Sequence, residues 1–182
     1  RAILIIYLQN RLVDDTGRDV EEGKPGEVLV KGPMVTRGYH GNETATRGAF
    51  TPDGWFRTGD VGERRDGKFY IVDRKKELIK YKGLQVAPAE LEALLMSHPL
   101  ILDAAVIGVE AEGTEVPRAF VVPASGITKH EIQEFVKRNV AGYKQLRGGV
   151  VFTKAIPKSP SGKILRKDLR EFSKNEIGRS KL

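Results

Sequence analysis

The order of apolar and polar positions divides the chain into two regions of different rhythm. Up to Asp73 the apolar runs are short and glycine is dense, and long helical periods are absent. Glu27 to Lys31 alternates as a strand does, and so does Lys68 to Asp73, which is entered through the turn pair Asp66-Gly67. Between them, Gly32 to Asp60 is rich in Gly, Thr and Arg and reads as loop and strand, allowing short helical turns. Gly54, Gly59 and Gly62 punctuate this extended path, which can approach a ligand closely.

After Asp73 strands and helices alternate. Pro88 suits the first turn of a helix whose Leu91, Leu94 and Leu95 recur at helical spacing, ending near His98-Pro99. Ala104 to Val109 is a continuous apolar run, the mark of a buried strand, and Ala119 to Val122 is a second one after a Gly-containing turn. Thr128 followed by Glu131 is a capping-box signature, and Ile132, Phe135, Val136 and Val140 form the stripe of the helix it starts. Val150 to Phe152 reads as a third strand. Ala155 to Lys163, with Pro157, Pro160 and Gly162, reads as an exposed loop before a last helix at about Ile164 to Phe172. Ser173 to Leu182 reads as loose.

A boundary is expected near Asp73-Arg74, dividing a strand-rich part, residues 1–73, from an α+β module, residues 74–182. The second part is large enough to fold alone. The first would bury little apolar surface unless other chain covers it.

Composition narrows the chemistry. The 182 residues are 40% hydrophobic and 30% charged, the balance of a folded chain. No apolar run approaches the roughly eighteen residues of a membrane helix; the greasiest, Ala2 to Leu8, is short and broken by Tyr7. Zero cysteines exclude a disulfide scaffold, a Cys-based zinc site and a thiol nucleophile, and three scattered histidines offer little to a His-rich metal site. The net charge of +7 is unevenly placed: residues 127–182 hold fourteen Lys/Arg against five Asp/Glu. Such asymmetry suggests an anionic partner, and composition does not choose among nucleic acid, acidic lipid and a phosphate-rich small molecule.

Three segments could carry chemistry. In Ser159-Pro-Ser-Gly-Lys163 a lysine stands on a Gly/Pro loop, placed to deliver a point charge to phosphate or carboxylate oxygens. At about 4 Å and an effective dielectric of 20, that charge is worth roughly 4 kcal/mol. Confined to a transition state, it changes a rate about a thousandfold. The leading glycines of a Walker loop are absent. In Trp55-Phe-Arg-Thr-Gly-Asp60 a carboxylate after glycine can accept hydrogen bonds from a vicinal diol such as ribose. From Arg74 to Lys82, five cations (Arg74, Lys75, Lys76, Lys80, Lys82) crowd before Gly83 and repel one another unless an anion is shared. Each segment taken alone has a plainer reading, as a solvated lysine, a turn, and a solvated basic face. Tyr81 alone is a thin aromatic platform for single-stranded nucleic acid.

Together, GWFRTGD at 54–60, DRKKELIKYKGLQVAPAELE at 73–92 and PKSPSGKILRK at 157–167 resemble the late core motifs of adenylate-forming enzymes, in order and in register. The branch of coumarate-CoA ligases, acyl-CoA synthetases and luciferases is the most similar, and the resemblance covers about residues 11–182. It implies an α/β fold in which 74–182 are an α+β C-terminal lid domain with a small mixed sheet and flanking helices. Residues 1–73 would be a strand-rich remnant, the end of the N-terminal AMP-binding domain. It further implies an acid–thiol ligase that joins a carboxylic acid, aryl or fatty acyl, to ATP as an acyl-adenylate and passes the acyl group to coenzyme A. The lid would rotate between the half-reactions.

By position, Asp60 would bind the ribose hydroxyls, assisted by Arg74, and Lys76 would be the hinge. Lys80 and Gln85 would approach the adenylate in the thioester-forming state, and CoA would lie along Lys82-Gly83. Lys163 would be the adenylation lysine, bridging the acid's carboxylate and the α-phosphate. The basic tail is then explained by ATP and CoA without nucleic acid; the alternative is a non-enzymatic module that binds anions or nucleic acid through the same surface.

The family's phosphate loop, acyl pocket and large N-terminal domain have no counterpart in these residues, so the chain is expected to be a fragment inactive by itself. A Mg²⁺ site is expected in the missing part. Residues 1–10 fit the family pattern poorly, and Gly142 stands where relatives often carry proline. Ser180-Lys181-Leu182 reads as the peroxisomal address, recognised by an import receptor at a free C-terminus.

Overall fold

The computed structural model describes residues 8–179. Two compact units divide the chain, Arg1–Lys76 and Glu77–Leu182. The division falls after Lys76, two residues past Arg74. The strand entering it runs on to Arg74, and the Lys75 N–H then donates to the Gly59 carbonyl at 2.8 Å.

The first unit is an antiparallel four-stranded sheet in sequence order: β1 (Gln9–Val13), β2 (Gly26–Lys31), β3 (Phe56–Arg65) and β4 (Lys68–Arg74). One short helix, α1 (Glu43–Ala49), interrupts the long connection between β2 and β3 and is capped by the Asn42 side chain. Asp66 and Gly67, both at positive φ, make the tight β3–β4 turn that their sequence announced. Among the described residues the buried apolar set of this unit is small, comprising Leu12, Val13, Val28, Leu29 and Val61, while Phe69, Tyr70 and Ile71 of β4 are exposed. This is the modest burial expected of so short a strand-rich stretch.

The second unit opens with a two-residue hairpin, β5 (Ile79–Tyr81) and β6 (Leu84–Val86), inside the cation-rich segment. Helix α2 (Pro88–Met96) follows with Pro88 at its start. Then β7 (Ile101–Ala111) and β8 (Thr114–Pro123) form a long hairpin, α3 (Lys129–Asn139) crosses over, and β9 (Val150–Phe152) pairs parallel to β8. The sheet is thus mixed, as expected. Both its faces are covered, which explains the unbroken apolar run of β7. Ala104, Val106, Ala119 and Val121 pack with Leu91, Leu95, Ile132 and Val136 of the helices. Ala105, Ile107 and Phe120 pack on the other side with Ile156 and Leu169. The capping box of α3 is formed in full between Thr128 and Glu131.

Two expectations need correction. The last helix, α4 (Arg166–Arg179), begins after Leu165, because the Leu165 N–H is still tied to the Pro157 carbonyl and Ile164 bridges to Lys158. It also runs through Ser173 and on to Arg179, where the sequence read as loose. Ser173 is buried and its hydroxyl accepts a hydrogen bond from Arg118 at 2.7 Å, an anchor from a residue 55 positions earlier. The address tripeptide at 180–182 and most of the apolar stretch at 2–8 lie outside the described residues.

Candidate functional site

In the first unit, Asp60 and Arg74 are direct partners across β3 and β4. Arg74 Nε stands 3.3 Å from one Asp60 carboxylate oxygen. Gly59, at φ +73, turns the chain before Asp60, and a bulge at Val61/Gly62 shifts the register just after it. Both devices re-aim the Asp60 side chain, which stays about one-third exposed and able to accept further hydrogen bonds. Lys76, the last residue of this unit, is exposed.

Lys75 is a structural cation instead. Its ammonium lies 2.9 Å from Asp15 and 3.0 Å from Glu27, a buried carboxylate that also accepts from Arg57. The hydrogen bond to Asp15, followed by that to Glu27, raises the Lys75 pKa above the ordinary lysine value. A raised lysine pKa contributes stability that is complete below the unfolded value, about 10.4, and is lost as pH rises through the folded one. Lys75→Met is therefore expected to cost about 1 kcal/mol in urea unfolding at pH 8, small because the lysine side chain is 39% exposed and its ion pairs are partly screened by solvent. The gap from the parent should close in strongly alkaline buffer, and a gap that stays constant there would contradict the ion-pair origin.

In the second unit, the hairpin alternates. Ile79 and Val86 face inward and are buried, while Lys80 and Gln85, directly opposite one another in register, are exposed on the other face. Lys82 and Gly83, at φ +47 and +81, form its turn. Glycine suits this left-handed geometry, whereas lysine adopts it uncommonly. The hairpin's backbone is held from β8: Lys82 N–H donates to Thr114 Oγ1 at 2.8 Å, that hydroxyl donates to the Lys80 carbonyl at 2.8 Å, and Lys80 N–H donates to Glu115 Oε2 at 2.8 Å. Lys80, Lys82 and Gly83 line an open groove with residues 110–115.

Lys163 ends a closed loop. Ser159 N–H donates to the Lys163 carbonyl at 2.8 Å, Gly162 N–H to the Ser159 carbonyl at 2.8 Å, and Lys163 N–H to Ser159 Oγ at 3.2 Å. Gly162 at φ +80 makes that closure possible. The Lys163 side chain is exposed, and among the described residues its ammonium makes no ion pair. Its neighbours differ. Lys158 pairs with Asp103 at 2.6 Å, Arg166 with Glu92 at 2.8 Å, and Arg170 with Glu77.

The structure thus brings Asp60 to Arg74, and Lys80 to Gln85 beside Lys82-Gly83, and places Lys163 on a loop of its own. Thr114 and Glu115 escaped the sequence reading, because no spacing signal links residues more than thirty positions apart. Among the described residues no cluster of three His, Asp or Glu side chains could hold a metal ion.

The family model of the AMP-binding enzyme C-terminal domain matches residues 90–163. A putative acyl-coenzyme A synthetase of Emericella nidulans is 55% identical over 97% of this chain and 33% of its own length. A 4-coumarate:CoA ligase of Petunia hybrida is 50% identical over 88% of the chain and 30% of its own. Among solved structures, the o-succinylbenzoate CoA synthetase of Bacillus subtilis in complex with its acyl-adenylate intermediate is 32% identical, with a TM-score of 0.81, over 91% of this chain and 34% of that one. The same enzyme has been solved with ATP and a magnesium ion. The chain spans about a third of the length of the relatives it matches. Residues 90–163 thus match the AMP-binding enzyme C-terminal domain, and in its three motifs, its fold and its sequence over nearly its whole length the chain is similar to the corresponding third of adenylate-forming enzymes.

Proposed function

We propose that this chain is the catalytic lid and adjoining strands of an ATP-dependent acid–CoA ligase. The observation that carries the reading is the exposed ammonium of Lys163, without an ion pair among the described residues, on a hydrogen-bonded loop flanked by Lys158 and Arg166, each of which is paired to a carboxylate. In the first half-reaction a carboxylate oxygen attacks the α-phosphorus of ATP, a new O–P bond forms and pyrophosphate leaves. Two anions must meet, so a cation between them lowers the barrier most where the bond forms. Lys163 supplies it. Asp60 holds the ribose through the capacity that Arg74 leaves unused. In the second half-reaction the CoA sulfur attacks the acyl carbon, and AMP departs with the electron pair of the broken bond. Lys80 and Gln85 serve this step, with the CoA arm along Lys82-Gly83. The same lid presents each face in turn by rotating about Lys76.

The donors for Mg²⁺ and the pocket that selects the acid belong to the rest of the ligase. Purified full-length ligase carrying this segment should show acid-dependent exchange of pyrophosphate into ATP, and should form an acyl-CoA when CoA is added. Failure of exchange with every aryl and fatty acid tried would defeat the reading. Lys80→Ala and Gln85→Ala are expected to slow thioester formation from supplied acyl-adenylate about tenfold or more, with pyrophosphate exchange little changed; equal loss in both assays would remove the assigned division.

For the cellular address, Ser180-Lys181-Leu182 supports import by the peroxisomal receptor. A fluorescently tagged protein lacking these three residues should stay in the cytosol. Continued import would show that the address lies elsewhere.

A further inference from the structure

We infer that Thr114 and Glu115 are positioning residues of the thioester-forming half-reaction, acting through the Lys80–Gln85 hairpin; the inference rests on the function proposed above. That hairpin has only three residues in each strand, too few to hold its shape unaided. Its turn also places a lysine at positive φ, a geometry that must be imposed from outside. The first two residues of β8 supply the constraint. Thr114 both accepts from the Lys82 N–H and donates to the Lys80 carbonyl, so one hydroxyl fixes two points of the turn. Glu115 receives the Lys80 N–H.

Two more features serve the same clamp. Glu112 and Gly113, at φ +50 and +76, make the tight β7–β8 turn that brings Thr114 to this place. Gly108 on β7 leaves room for the Glu115 side chain: a Cβ there would lie 3.3 Å from the Glu115 carboxylate and 3.4 Å from Ile79. None of these residues needs to touch CoA or the adenylate. They set the register in which Lys80, Gln85 and the Lys82-Gly83 turn meet them, and a displacement of about 1 Å at such a site costs up to a hundredfold in rate.

The test compares Thr114→Val, which keeps the shape and removes the hydroxyl, with Thr114→Ser, which restores it, in a full-length ligase carrying this segment. Amide hydrogen exchange of the 79–86 peptide reads the clamp without reference to activity. Thr114→Val should speed exchange there, and Thr114→Ser should return it to the parent rate; unchanged exchange overturns the clamp even if the ligase reading fails. For the reaction, thioester formation from supplied acyl-adenylate should fall about tenfold in Thr114→Val, with a raised KM for CoA. Pyrophosphate exchange should stay within twofold, and Thr114→Ser should recover the CoA step. Accelerated exchange with both half-reactions untouched, or with both lowered alike, overturns the positioning role.

Discussion

Lys163→Ala in a full-length ligase carrying this segment is expected to lower adenylate formation about a thousandfold and to leave thioester formation from supplied acyl-adenylate largely intact. The magnitude follows from one unit charge at about 4 Å, worth roughly 4 kcal/mol at an effective dielectric of 20, and fully expressed only in the transition state. The structure makes the substitution a clean one. Lys163 is held by its own backbone N–H and carbonyl, both bonded to Ser159, so removal of the side chain leaves the loop closure in place. The ammonium is exposed and makes no ion pair among the described residues, so no carboxylate is orphaned by its loss. Pyrophosphate exchange and single-turnover thioester formation read the two steps separately. A parallel fall in both would mean that the charge serves binding common to the two states, and would remove the specific role given to this lysine.

Much of the second unit was legible because its signals are local. The Pro88 start, the Thr128/Glu131 box and the apolar run of β7 each use residues within one element, and each appears in the structure. What escaped was non-local. The hairpin inside the cationic segment has no glycine pair or long alternation to announce it, and it is held by Thr114 and Glu115 from another hairpin. The continuation of α4 past Phe172 depends on Ser173 meeting Arg118. The charge reading changed for the same reason. Along the chain the tail is strongly basic, but Lys144, Lys158, Arg166 and Arg170 find Glu90, Asp103, Glu92 and Glu77 across separations of 54 to 93 residues. At the site, the motifs named Lys80 and Gln85 separately, and only the register shows that they stand opposite each other. Likewise, nothing in the run of cations told Lys75, tied to Glu27 and Asp15, from its exposed neighbour Lys76.

The largest stability loss is expected from Glu92→Ala, at about 3–5 kcal/mol. Glu92 and Arg166 are both mostly buried, with side chains 14% and 13% exposed. The guanidinium donates to both carboxylate oxygens at 2.8 Å, joining α2 to the start of α4. One of those oxygens also accepts the Val106 N–H at 2.8 Å, so the carboxylate covers part of an edge strand whose backbone would otherwise go without a partner. Arg166 Nε is buried without a hydrogen bond among the described residues, so the cation has no spare partner to turn to. Truncating Glu92 therefore leaves a desolvated charge and a backbone donor unsatisfied at once. Glu92→Gln keeps the shape and one acceptor oxygen while removing the charge and the second acceptor, and should cost less than the alanine variant. The double variant Glu92→Leu/Arg166→Met removes both charges and fills the space, and should recover most of the loss, because a well-packed apolar pair commonly matches a buried ion pair. Urea unfolding of the three variants decides the matter. A double variant no more stable than Glu92→Ala would show that the lost stability comes from the Val106 contact and the helix packing rather than from the stranded charge.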